Sequence, residues 1–362
     1  VDEEKSKLFS DAFQKELREL IAGTYKPEDE SLGVVPIFVG DKLKEAIDNI
    51  SDERIPLIEG FLYQGCVSMI YASDGEGKSS CVLNAMIEAS AGLPVFKGLP
   101  CPKPLNIIWH CAERPLDEPW ERIKNMRNSV EPNYQNIIFD KEIQGMDLTS
   151  KDGFSKFFLR MAELVSALPD NRVDIVVIDP IYSITGGDLS NQKDVHIINN
   201  LIRTIQNRYS CAVLYTHHTN RGSRAKDTGE RVDGDMYGSR FLSANVTGLY
   251  HLKKNSEGVD LYCKKNTYSN LLSHIPLIYD SITQTLSISD DMGDFNKRDN
   301  ILLFLRKKHA EKKEFVLREI SNQIKVSDAY IRKTLAPLIK SGHVINKVVK
   351  GAKGSYYVEK NV

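Results

Sequence analysis

From Gly60 to about Ser289 the chain alternates short apolar runs with longer amphipathic stretches, and this rhythm restricts the fold more than any other feature. The first five runs, "CVSMIYA", "LNIIWHCAE", "NIIFD", "VDIVVIDP" and "CAVLYTHH", are continuous and often β-branched. Strands buried on both faces have that pattern. Helical stretches such as "SSCVLNAMIEASAG" and "DVHIINNLIRTIQNRYS" fall between several of them. The alternation predicts an α/β domain whose mainly parallel sheet is flanked by helices. The later runs "VTGLYHLKK" and "GVDLYCKKN", separated by turns such as "KNSEG", are expected as antiparallel strands added at one edge.

The flanks differ. In residues 1–54, "SKLFSDAFQKELRELIAG" sets Phe9, Phe13, Leu17 and Leu20 at helical spacing with Gly23 as a stop. "TYKPEDESLG" follows as a linker and "DKLKEAIDNI" as a second short helix. This segment reads as a helical arm on a neighbouring copy or as a frayed terminus. Residues 55–290 form the expected α/β domain, and "SDDMGDFNKRDN" is a polar link to residues 297–362. There "RDNILLFLRKKHA" predicts a helix with Ile301, Leu302 and Leu305 inward, and "EFVLREISNQIK" a second. "SDAYIRKTLAPLIKSG" predicts a third, capped by Ser327 or Asp328 and stopped by Gly342, with Ile331, Leu335, Leu338 and Ile339 on one face. Pro337 is expected to kink or split it. "HVINKVVKGAKGSYYVEK" alternates as two strands, so this domain reads as a winged helix-turn-helix.

Charge follows the same division. Residues 297–362 hold 16 Lys and Arg against 6 Asp and Glu, a net +10, while residues 1–296 hold 32 against 43, a net −11. A basic tail on an acidic body points to a polyanion as partner. The six cysteines form no C-x-x-C pair and sit mostly in apolar runs, as reduced core thiols of a cytosolic protein do. No apolar run approaches the roughly 18 residues of a membrane span. The N-terminus lacks the basic-then-apolar order of a secretory signal, and it begins with Val, as expected of a piece of a longer chain.

The chemistry begins at "YASDGEGKSS", residues 71–80. A Gly-rich turn between a strand and a helix, closed by Gly77-Lys78-Ser79, is the context of a phosphate loop. Asp74, Gly75, Glu76, Gly77, Lys78, Ser79 and Ser80 are its expected nucleotide-binding residues. Gly75 and Gly77 let successive N–H groups turn inward, and the helix N-terminus adds partial positive charge. Lys78 would pair with the β- and γ-phosphates and Ser79 would place its hydroxyl on Mg2+. The loop rule asks for Gly at position 72, where this chain has Ala72. Ala costs little there if the residue keeps ordinary extended dihedrals. Asp179 ends "VDIVVIDP", where a carboxylate can hold Mg2+ through water or orient the attacking water. Glu113 ends "LNIIWHCAE", where it could activate water. Thr216-His217-His218 ends "CAVLYTHH"; a polar group there can touch the γ-phosphate, and His218 is the preferred one.

In this order the pieces resemble the RecA-like ATPases, in particular the RepA-type hexameric replicative helicases of plasmids and phages. The resemblance covers roughly residues 55–285, through "IYASDGEGKSS", "IWHCAERPLDEPWERI", "VDIVVIDPIYSITGGDLSNQKDV", "AVLYTHHTNRGSR" and "MYGSRFLSANVTGLYHLKK". It implies a RecA-type core with ATP between the subunits of a homo-oligomeric ring. It also implies Lys78 and Ser79 on the phosphates and Mg2+, Asp179 as the Walker B acid, Glu113 as catalytic base and His218 as sensor. Related ring helicases carry a Lys-x-Arg pair on a late strand that reaches a neighbour's γ-phosphate; here the stretch is Lys265-Asn266-Thr267, without the arginine. Lys264, Lys265 and Arg240 are the candidates for that finger.

Loops after these strands are expected to face a channel, where Arg221, Arg224, Lys226 and Arg231, joined by Lys193, could hold a single-strand backbone. In the tail, Tyr330, Arg332 and Lys333 lie near the start of the third helix, where recognition helices meet base edges, and Lys347, Lys350 and Lys353 are placed for phosphate contact. Winged helices also dock proteins. The expected function is an ATP-dependent DNA motor, a replicative helicase of a plasmid or phage, acting in the cytoplasm on single- and double-stranded DNA. The alternative is an ATP-gated DNA-binding regulator or loader without unwinding activity. A small-molecule kinase would need an acceptor-binding constellation, which the sequence does not offer.

Overall fold

The computed structural model describes residues 44–45, 55–186, 189, 192–218, 240–268, 274–289, 297–324, 326–340, 342–347 and 355–359. The expected N-terminal arm lies almost wholly outside them. An antiparallel pair, β1 (Pro56–Ile58) and β2 (Leu62–Tyr63), precedes the main sheet. The main sheet contains β3 (Val67–Ala72), β4 (Ile107–Cys111), β5 (Ile137–Asp140), β6 (Ile175–Asp179), β7 (Ala212–His218), β8 (Gly248–Lys254), β9 (Gly258–Asn266), β10 (His274–Asp280) and β11 (Thr285–Ile288). Their spatial order is β11-β10-β9-β8-β3-β7-β6-β4-β5.

The five apolar runs become β3 to β7, all parallel. Side chains alternate between two cores. Ile175 and Val177 of β6 enter one, Val176 and Ile178 the other. The first core includes α1 (Lys78–Ser90) and Ile123 and Met126 of α2 (Asp117–Met126). The second includes α3 (Lys151–Ser166) and α4 (Gln192–Tyr209). Burial of both sheet faces explains why these strands read as unbroken apolar runs.

One edge differs from expectation. β8 is parallel to β3, from Ser68↔Gly248 to Tyr71↔His251. The chain leaves β7 and returns through α5 (Arg240–Ala244) on the far side of β3, and a crossover of that kind delivers a parallel strand. β9, β10 and β11 are antiparallel additions.

The C-terminal segment forms α6 (Lys297–Ala310), α7 (Leu317–Ile324), α8 (Asp328–Lys340) and the antiparallel pair β12 (Val344–Lys347) and β13 (Ser355–Val358). Ile301, Leu302 and Leu305 are buried as expected. The second helix starts later than its apolar spacing suggests, because Phe315 exchanges backbone hydrogen bonds with Tyr356 at 2.9 and 2.8 Å and stacks on its ring. α8 runs unbroken through Pro337, contrary to expectation. Pro337 and Lys333 are both exposed, so the carbonyl that loses its N–H partner can be solvated. Ser327 caps this helix by accepting from the Tyr330 amide at 3.4 Å, and Gly342 ends it at φ 74°. Ile339, expected inward, is 37% exposed.

Ala72 ends β3, and Glu88 lies in the last turn of α1. Ala72 is fully buried as the last residue of β3, paired with His218, so glycine's freedom is not needed there. Ala72→Gly, which restores the expected glycine, should lower stability by about 0.5–1 kcal/mol in chemical denaturation. Glu88 of α1 is 1% exposed and accepts from the Phe96 amide at 2.6 Å and from Asn84 Nδ2 at 2.7 Å. Burial pushes its carboxyl up to about 8 from 4.5. Its proton is therefore held more tightly in the folded chain than in the unfolded one. That contribution is complete below pH 4.5 and is lost as pH rises through about 8. Glu88→Gln should match the parent near pH 4.5 and exceed its stability above pH 8, by up to a few kcal/mol. Denaturation across that pH range checks it.

Candidate nucleotide site

The sheet order assembles the site. The chain passes from β3 through α1 to β4, leaving two places that β7 and β6 later fill. Ala72 pairs with His218 and Cys111 with Asp179, so the carboxyl ends of these strands finish at one rim. Asp179 and His218 thereby stand between the loop after β3 and Glu113 beyond β4. Ligands of open parallel sheets bind in the crevice outside such strand ends. A cavity of about 410 Å3 occupies this crevice.

Gly75 at φ 79° and Gly77 at φ 91° turn the loop over the start of α1. A side chain at either would be strained, and Gly75 faces open space. Asp74, Gly75, Gly77, Lys78, Ser79 and Ser80 line the cavity as expected. The Glu76 side chain instead accepts from the Lys254 amide, outside the cavity lining. Lys78 Nζ donates to the carbonyls of Ala72 at 2.9 Å and Ser73 at 3.0 Å and lies 3.3 Å from His218 Nδ1. Burial lowers the Lys78 pKa, opposed by Asp74, Asp179, Glu76 and Glu113.

Asp179 shows the reverse balance. Desolvation raises its carboxyl, against hydrogen bonds from Thr216 and Ser79 and the charge of Lys78. Ser79 and Asp179 together offer a hydroxyl and a carboxylate at the loop's helix start, a hard-oxygen pair of the kind Mg2+ takes. The rim is braced: the Ala112 amide donates to the Asp179 carbonyl at 3.0 Å, and Gln144 Nε2 donates to the carbonyls of Cys111 and Arg114 at 2.9 and 2.7 Å. Glu113 accepts from the Tyr182 hydroxyl at 2.6 Å. His218 Nδ1 lies against the Asp74 carboxylate, and burial, then Lys78, lowers its pKa despite that acid.

Among the lining residues, Tyr182, Arg114 and Arg122 were not singled out from the sequence, whereas Thr216 was named with His217 and His218 as a polar strand end. Thr216 holds Asp179 and Tyr182 holds Glu113. Arg114 and Arg122 both pair with Glu118 and add cationic groups to the wall. The signal for the arginines lay in "ERPLDEPWERI", a charged turn straight after a strand.

The remaining candidates stand elsewhere. Lys265 Nζ donates to the Ala244 carbonyl at 3.3 Å, and Lys264 lies 5.4 Å over the Tyr262 ring, neither at this chain's cavity. Arg240 belongs to α5 by its backbone only. Lys193 is exposed on α4, and Tyr330, Arg332 and Lys333 are exposed on α8. Lys347 is in β12 by its backbone. Arg221, Arg224, Lys226, Arg231, Lys350 and Lys353 lie outside the described residues.

The AAA domain family matches residues 41–224, slightly more than half of the chain. No curated protein matches in sequence. Among solved structures, the ATPase domain of G40P has a TM-score of 0.50 at 12% identity, over 69% of this chain and 96% of that one. A DnaB-like replicative helicase studied for its interactions with primase gives 0.49 at 13% identity, over 78% and 76%. A KaiC-like protein, PH0186 from Pyrococcus horikoshii OT3, gives 0.43 at 15%, over 66% and 99%. The chain belongs to the AAA domain family and carries the RecA-like P-loop ATPase fold shared with the G40P ATPase domain.

Proposed function

We propose that the protein is an ATP-dependent DNA motor, a replicative helicase of a plasmid or phage. The observation that carries this reading is the convergence of Lys78, Ser79, Asp179, Glu113 and His218 on one cavity. The inward-turned loop and Lys78 would bind the triphosphate, and Ser79 and Asp179, steadied by Thr216, would hold Mg2+. The ion would supply charge neutralisation at the phosphates. Glu113 would take a proton from the attacking water. His218, beside Lys78, would sense the γ-phosphate.

The basic tail would serve DNA, with Tyr330, Arg332 and Lys333 exposed on α8 as a winged helix would present them. On this reading residues 55–290 are the motor, 297–362 the winged-helix unit and 1–54 an arm. The motor would work as a homo-oligomeric ring in the cytoplasm, with Lys264, Lys265 or Arg240 reaching the neighbouring site. No helix among the described residues is long and apolar enough to cross a membrane.

One observation favours the alternative, an ATP-gated regulator or loader. Where related ring helicases place the finger arginine, Thr267 is bound to Thr247, its amide donating to the Thr247 carbonyl at 2.9 Å. Three measurements decide between the readings. ATP turnover should rise with single-stranded DNA, and labelled duplex should be displaced. Glu113→Gln should cut kcat by about 10²–10⁴-fold, and Lys78→Ala should abolish nucleotide binding. Native mass with a non-hydrolysable ATP analogue and single-stranded DNA should report an oligomer. A strict monomer removes the ring motor, and turnover without displacement leaves the regulator.

A further inference from the structure

Tyr182 lines the nucleotide cavity. It follows Asp179 by three residues, in the 3-10 turn Ile181–Ile184. Ile181 and Ile184 are fully buried in the second core, and the Leu148 amide holds the Ile184 carbonyl at 3.0 Å. Thr185 Oγ1 donates to the Tyr182 carbonyl at 2.9 Å. The backbone beneath the ring is thus anchored on both sides, while the ring itself lines the nucleotide cavity.

From there it makes two contacts across the strand ends. Its hydroxyl donates to Glu113 Oε2 at 2.6 Å. Its ring meets the His218 imidazole edge to face, with centroids 4.9 Å apart and planes at 65°. The β6 turn therefore bridges the end of β4 to the end of β7. Glu113 is an exposed side chain on a long, rotatable stem, and an unrestrained carboxylate of that kind samples several rotamers. A phenol at 2.6 Å forms a short charge-assisted hydrogen bond, which fixes one oxygen and so the plane of the group.

We infer that Tyr182 is a positioning residue for hydrolysis of the nucleotide's phosphoanhydride bond: its hydroxyl occupies Glu113 Oε2 so that Oε1 is the oxygen presented to water, and His218 braces its ring. The inference rests on Glu113 acting as the base. Burial and the neighbouring carboxylate push the Tyr182 phenol up to about 12, so it remains a donor across the neutral range. No proton leaves the phenol in this role; the water's proton goes to Glu113.

Tyr182→Phe keeps the ring and its contact with His218 and removes only the hydroxyl. Turnover is measured by single-turnover release of labelled phosphate, sensitive enough to follow the slowest variant. The expected result is a fall in kcat of about 10–100-fold, with KM for ATP within about twofold and an unchanged melting temperature. The same change in a Glu113→Gln background should produce no further loss, because the hydroxyl acts through that carboxylate. An equal loss in both backgrounds would show that the hydroxyl acts elsewhere and would overturn the inference. So would unchanged kcat in Tyr182→Phe while Glu113→Gln is impaired, an outcome that leaves Glu113 as the base. Full turnover in Glu113→Gln removes Glu113 and Tyr182 from the chemistry together, and is distinguishable from the other two results.

Discussion

The molecule depends on the parallel register of β3, β7, β6 and β4. Side chains alternate across a strand, so a slip of one residue would carry Asp179 from the rim into the opposite face's pattern and exchange every core residue with it. The two hydrophobic clusters prevent that slip. Ile175 and Val177 belong to one and Val176 and Ile178 to the other, each buried to within the limits of close packing. The position of a carboxylate at the rim is therefore enforced by apolar side chains deep in the sheet, and the geometry of the candidate site is a by-product of hydrophobic registration.

On that frame the site is held by opposed electrostatic costs. Lys78 and Asp179 are both penalised by desolvation, in opposite directions; Asp74, then Asp179, offsets the cost at Lys78, and hydrogen bonds from Thr216 and Ser79, then the charge of Lys78, offset it at Asp179. Thr216 and Ser79 contribute because a hydroxyl can stabilise the carboxylate without adding charge. The two arginines on Glu118 lie further out on the wall, and Glu113, held by a neutral phenol, takes no direct ion pair with either.

What could be read from residues alone follows from the range of the forces involved. The parallel strands were legible because burial on both faces writes itself into consecutive side chains. The phosphate loop was legible because Gly75, Gly77, Lys78 and Ser79 are neighbours in sequence. β8 was not, since "VTGLYHLKK" has the same composition whichever way it pairs, and its direction comes from the crossover before it. The start of α7 was hidden for a similar reason: Phe315 has a helix-compatible spacing, but Tyr356, 41 residues later, competes for its backbone. Tyr182 and Thr216 lie in plain view beside recognised residues, yet their roles arise from contacts spanning 69 and 37 positions. Pro337 shows the opposite limit, a strong local rule relaxed by exposure.

The basic tail is joined to the α/β domain by packing rather than by a tether alone. The first hydrophobic cluster continues from the sheet into Ile301, Leu305 and Ile331. At the junction Arg306 of α6 is 2% exposed, with its guanidinium against Gly60, which holds φ 72°. A side chain at position 60 would strike that guanidinium and would be strained besides. Glu59 lies beside the same group and 4.0 Å from His309, and burial raises its carboxyl although His309 and Arg306 oppose the shift. Asn266 Nδ2, at the end of β9, reaches the Gly60 carbonyl at 3.4 Å and the Tyr250 hydroxyl at 3.2 Å. β9, which carries Lys264 and Lys265, and α6, which begins the basic tail, thus both meet Gly60, and a buried guanidinium fitted to a glycine leaves little room there.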